Sequence, residues 1–252
     1  MELCRRLHDL FADKAARSRV ALVSVGLGYT AVVTEDGGIG LAYTYFETKQ
    51  SCGLKRDYVD WEGQPADGLL AYLTGSDTIR RSMALALINA LNYPFAFDLP
   101  EDSDNRILLE TLAIEQGTRV AMVGLIKPLA RRCESMGASL VILDAARHIG
   151  RPADFYRQLQ GPVDVLIMTS TSILNHTAEE ILSHAAPSVK TVVIGPGTPM
   201  VADAFLPLPV DLLAGTVPLD KNQVLRAVRH GAGTPVIQKY ARKVYLKLNR
   251  SR

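Results

Sequence analysis

From Thr118 onward one pattern recurs without any repeat of sequence, a short and almost wholly apolar run followed in most cases by a stretch with helical spacing. The runs are Arg119 to Gly124, Ser139 to Asp144, Val163 to Thr169, Thr191 to Gly195 and Asp211 to Gly215. Strands that are apolar on both sides need cover on both faces, which a parallel sheet wrapped by crossover helices provides. Helices are expected from Pro128 to Met136, with proline in the first turn, from about Asn175 to Ala185, and from Asp220 to Arg229. This half of the chain is therefore expected to form a Rossmann-like parallel sheet.

The first hundred or so residues follow another rhythm. Within residues 1 to 17, Leu3, Leu7, Leu10 and Phe11 share one helical face. Val20 to Val25, Thr30 to Thr34 and Ile39 to Thr44 are β-branched and aromatic runs, separated by Gly26-Leu27-Gly28 and Glu35-Asp36-Gly37-Gly38. The second separator tolerates positive φ, as a tight hairpin requires, so an antiparallel meander is expected. Residues 45 to 75 read as irregular structure or short helices. Ser76-Asp77 then caps a helix through Arg80, Met83, Leu87 and Leu91, which ends before Asn92-Tyr93-Pro94. The acidic, turn-rich stretch Asp98 to Asp104 marks a boundary, and a short helix follows it to Gln116-Gly117. The fold class is α/β: a small α+β domain over 1–103, then a Rossmann-like parallel-sheet domain over 104–252. The N-terminal helix is free to pack on either. The basic tail from Lys239 reads as a surface helix, with an oligomer or docking contact as the alternative.

Charge excludes little but points away from some partners. With 28 basic and 26 acidic side chains the net charge is +2, which gives no reason to expect nucleic acid or an acidic membrane surface. No apolar run approaches the ~20 residues of a membrane helix, and the charged start does not resemble a secretory signal. A cytoplasmic location is expected. The three cysteines, Cys4, Cys52 and Cys133, are far apart and suit reduced thiols.

In an open parallel sheet, ligands collect outside the carboxyl ends of the strands, where strand order reverses. Gly124 ends the first run, and Lys127 stands where the next helix begins and its unpaired N–H groups can hold an anion. The pattern G-x-G-x-x-G is absent, which weighs against a dinucleotide. Asp144, about twenty residues beyond Gly124, either meets ribose hydroxyls or caps a loop. Thr169, Ser170, Thr171 and Ser172, with Asn175 beyond them, form a polar cradle at the third strand end. Gly195, Pro196, Gly197 and Thr198 make a rigid turn with close backbone access. The N-terminal meander could close over this edge with Tyr43, Thr44 and Glu47, and Asp144 or Glu47 is the candidate acid-base group. His176 and His184 read as surface histidines. No P-loop, G-x-S-x-G, H-E-x-x-H or C-x-x-C occurs, so a zinc site is not expected, and no metal ligands can be named.

Several of these motifs occur together in a known family. Met122-Val-Gly124 with Pro128, Asp164 through Thr177, Gly195-Pro-Gly-Thr-Pro199 and Leu213-Ala-Gly215 resemble the heavy-metal chelation family. Val25 through Val32 and Gly38 through Thr44 look like the small domain that precedes it. The resemblance runs from about Val20 to Gly233. It implies an enolase N-terminal-like domain before a Rossmann-like one, with the site between them. It also implies a role with small metal-binding molecules, pterin- or siderophore-like. Glu is expected where this chain has Asp144, a shorter reach for the same charge. Three functions follow as expectations. One is an enzyme or binder for a small anionic or metal-chelating metabolite, with a transition metal or metal chelate as cofactor. The second is a non-catalytic transition-metal carrier or sensor. The third is a nucleotide- or S-adenosylmethionine-dependent enzyme. The expected partner is the metabolite or chelate itself, and a homo-oligomer is compatible with the sequence.

Overall fold

The protein was analysed as a computed structural model that describes residues 1–46 and 58–249. Helix α1 (Glu2–Ala16) leads into the meander β1 (Val20–Val25), β2 (Tyr29–Thr34) and β3 (Ile39–Tyr43), an antiparallel sheet in the order β1-β2-β3. The β2–β3 turn works as its residues imply. Gly37 sits at φ 90, and Asp36 Oδ1 accepts the Thr34 hydroxyl at 2.5 Å and the Gly38 N–H at 3.3 Å. Helices α2 (Ala66–Leu70) and α3 (Thr78–Leu91) follow. Asp77 caps α3 by accepting from the N–H groups of Ile79 and Arg80, each at 3.1 Å. The helix presses onto the sheet so closely that a Cβ on Gly40 would lie 2.1 Å from the Ala86 carbonyl oxygen. On α1 the buried side chains are Leu3, Leu7, Phe11 and Ala15, an i, i+4 ridge, with Cys4 at its flank; Leu10 is exposed, contrary to its expected place on the inner face.

After α4 (Tyr93–Phe97) and α5 (Arg106–Thr111) comes the second sheet. Its strands are β4 (Arg119–Val123), β5 (Ser139–Leu143), β6 (Val165–Thr169), β7 (Lys190–Ile194), β8 (Leu212–Pro218) and β9 (Ala241–Lys247), arranged β5-β4-β6-β7-β8-β9. The first five are parallel, and β9 runs antiparallel to β8. Cover on both faces follows from the apolar strands. Leu108 and Leu109 of α5 pack with Leu129 and Cys133 of α6 (Lys127–Ser135) against Val120, Met122, Val165 and Ile167. Phe155 and Leu159 of α7 (Pro152–Leu159), together with Ile181 of α9 (Ala178–Ser183), pack against Ala121, Leu166 and Met168. That second core cluster continues into Leu3, Leu7, Leu85 and Ile88, so the apolar interior runs through both sheets.

Two elements differ from the sequence reading. The helix expected from about Asn175 to Ala185 is two short ones, α8 (Thr171–Leu174) and α9, parted at His176, which takes φ 60. The basic tail is no helix but the edge strand β9. Val244 and Leu246 pack with one core cluster and Tyr245 with the other, a two-residue period that frequent lysine and arginine disguise. Those charges suit the last strand of a sheet.

The segment between the sheets is fastened to β9. Asp102 N–H donates to the Lys243 carbonyl at 3.1 Å, and Tyr245 N–H donates to the Pro100 carbonyl at 3.2 Å. Lys243 Nζ reaches Ser103 O at 2.9 Å, while the Arg242 guanidinium lies 5.2 Å from the centre of the Phe97 ring. Among the described residues no helix is long and apolar enough to cross a membrane.

Candidate functional site

Neighbours of β4 lie on opposite sides, β5 to one and β6 to the other, so the order reverses at β4 and opens a crevice at the carboxyl ends of β4 and β6. Gly124 stands there at φ 77, with its N–H given to Leu143 O at 2.8 Å. A Cβ at this position would come within 2.9 Å of Thr169 Cγ2, so glycine is required both by the backbone and by its neighbour. The Thr169 hydroxyl donates to Thr171 Oγ1 at 3.2 Å. Ser170 N–H donates to Ile194 O at 2.9 Å, which ties the hydroxyl run to the end of β7. Gly195, at φ 146, lets the Ser170 hydroxyl approach to 2.7 Å of where its Cβ would be. The structure thus brings Gly124, Thr169, Ser170, Thr171 and Gly195 together at one edge, with Pro196 half-exposed beside Gly195.

Other candidates stand differently. Lys127 is exposed at the start of α6, a helix that no side chain among the described residues caps. Asn175 Oδ1 accepts the Thr177 N–H at 3.1 Å and the Thr177 hydroxyl at 2.7 Å, which closes the turn between α8 and α9. Ser172 is buried within α8. Gly197 and Thr198 are also buried, and they face the first sheet rather than the crevice; a Cβ on Gly197 would lie 3.0 Å from Ala42 Cα. Thr44 is fully buried and hydrogen-bonded to Thr30 at 2.9 Å, whereas Tyr43 is exposed and meets Tyr29 edge-on. Glu47 and Cys52 lie outside the described residues.

Asp144 ends β5 as a brace. Its carboxylate accepts Leu125 N–H at 2.8 Å, Arg147 N–H at 3.0 Å and the Arg147 guanidinium at 2.5 Å. Burial opposes its charge, yet the Leu125 N–H and the Arg147 bonds together hold its carboxyl below the usual carboxylate range. A carboxylate so engaged fixes the loop that leads from Gly124 into α6; it is poorly placed to take a proton from a ligand.

Three polar residues that the sequence reading overlooked tie α3 to the elements around it. Asn89 Nδ2 donates to Leu41 O at 2.8 Å and Gly197 O at 3.2 Å, and Asn92 Nδ2 donates to Met200 O at 2.8 Å. Arg81, only 4% exposed, donates to the carbonyls of Gly75 and Leu174, the latter at the end of α8. The available signal was polar residues on the apolar face of α3, among Leu85, Ile88 and Leu91.

A metal ion held by protein side chains does not fit these residues. Among the described residues no three His, Cys, Asp or Glu side chains converge as an ion requires. Cys4 and Cys133 are buried; burial pushes the Cys4 thiol up to about 11, far from the thiolate that binds metal. The crevice instead offers hydroxyls, glycine backbone and one exposed ammonium, groups that suit an organic anion.

Known proteins share this fold. A protein of unknown function from Pyrococcus horikoshii superposes with a TM-score of 0.80 at 20% identity, covering 98% of this chain and 100% of that one. One from Desulfitobacterium hafniense gives a TM-score of 0.76 at 17% identity, covering 97% and 98%. Both belong to the DUF364 family, and they share the α/β fold. An uncharacterized protein of Methanocaldococcus jannaschii is 22% identical over 259 residues, 97% of this chain and 95% of that one. Two family models, each described as "Putative heavy-metal chelation", match residues 8–92 and 108–247. Since the second spans more than half of its length, this chain belongs to the heavy-metal chelation family.

Proposed function

We propose that the chain binds a small anionic, metal-chelating metabolite in the crevice at the carboxyl ends of β4 and β6, beside the first sheet. The observation that carries this reading is the convergence of Gly124, Thr169, Ser170, Thr171 and Gly195 where the strand order reverses. Gly124 and Gly195 let the hydroxyl run pack close at the strand ends, its hydroxyls orient the ligand's polar atoms, and Lys127 with the start of α6 answers negative charge. The donor set favours a metal that arrives already complexed by an organic partner over a bare ion, because the hydroxyls are neutral, the Asp144 carboxylate is engaged by Leu125 and Arg147, and the cysteines among the described residues are buried.

Native mass spectrometry of the full chain as isolated, with elemental analysis of the same sample, tests this. An organic mass that leaves together with a metal on denaturation supports the reading. A stoichiometric transition metal with no organic partner overturns it in favour of a carrier of bare ions. Thr171→Ala and Lys127→Ala are expected to lower the retained fraction without altering the circular-dichroism spectrum.

A further inference from the structure

Between the two sheets lies a small, partly enclosed cavity of about 10 Å³, bordered by Gly40, Asn89, Asn92, Tyr93, Thr198 and Thr216. Thr198 is 2% exposed, and its Oγ1 is buried with no hydrogen-bond partner among the described residues. A buried hydroxyl is rarely left so, because its lost contact with water is uncompensated. Asn89 on α3 and Asn92, the residue that ends that helix, share the wall facing it. Their amide NH2 groups are given to Leu41, Gly197 and Met200 carbonyls, while neither Oδ1 accepts a hydrogen bond from the described residues.

We propose that this cavity is a binding site for a single water molecule, which bonds Thr198 Oγ1 and is shared with the side-chain carbonyls of Asn89 and Asn92. The space matches, since roughly 10–15 Å³ holds one water, and a buried water needs two to four polar partners. The water completes a pin. Asn89 grips the turn at Gly197 and Asn92 at Met200, and the water fills the gap beneath Thr198 between them. The first sheet and α3 thereby set the position of the Gly195–Met200 turn, whatever the crevice binds, so this inference does not depend on the proposed ligand.

Crystal structures of the full chain and of Thr198→Ser and Thr198→Val, at a resolution that shows ordered water, test it. One isolated peak within hydrogen-bond distance of the hydroxyl is expected in the parent and in Thr198→Ser. It should vanish in Thr198→Val, with a lower melting temperature than Thr198→Ser shows. A dry cavity in the parent, with the Thr198 hydroxyl turned to a protein acceptor, overturns the proposal. So does a Thr198→Val protein that melts with the parent. If Thr198→Val does not fold, the peak in the parent and in Thr198→Ser still decides.

Discussion

Asp144 shows how a residue of suggestive spacing can serve the backbone. Its three accepted hydrogen bonds join the ends of β4 and β5, and Asp144→Asn would set an amide NH2 against donors. A loss of roughly 1–3 kcal/mol in urea denaturation at neutral pH is expected. Because the folded carboxyl titrates below its usual range, this stabilisation is present above the unfolded value of about 3.9 and fades as pH falls through the lower folded one. Parent and variant should therefore converge in strongly acidic solution; a constant gap would show that the charge is not the cause. Gly124 is constrained in another way. Gly124→Ala must place a side chain at φ 77 and against Thr169, and about 1–2 kcal/mol is the expected cost in the same assay.

At the scale of elements, the parallel strands were legible because burial on both faces leaves unbroken apolar runs, as in Val-Ala-Met-Val of β4. The meander was legible from its Asp-Gly-Gly turn. Strand β9 was not, since an edge strand has one open side and its lysines and arginines mask the alternation. Helix α7 was missed for want of a long repeat. Within the site, Gly124, Thr169, Ser170 and Gly195 could be found because strand ends are visible in sequence. Gly197 and Thr198 are neighbours in the same motif but turn toward the first sheet, and only tertiary packing decides that. Asn89 and Asn92 carry no spacing signal, because what they hold is distant in the chain. Removing β9 by ending the chain at Tyr240 leaves the apolar edge of β8 unpaired. Aggregation or higher oligomers are expected in size-exclusion chromatography, and a monodisperse product of unchanged size would refute this.

Across the whole molecule, one apolar cluster reaches from Leu7 and Leu85 to Phe155 and Leu213. Sheets so joined should unfold together. Trp61, the single tryptophan, packs on Tyr72 beside the first sheet and reports on that region alone, whereas far-ultraviolet circular dichroism reports on the whole chain. Their denaturation midpoints are expected to coincide; a Trp61 transition at lower denaturant would reveal independent units. The stitching of residues 100–103 to β9 has its own consequence for the newborn chain. That segment is synthesised before any strand of the second sheet, but its partners Lys243 and Tyr245 follow every other strand in sequence. On the ribosome the first hundred residues must wait, with the joint unsealed, until the final strand emerges.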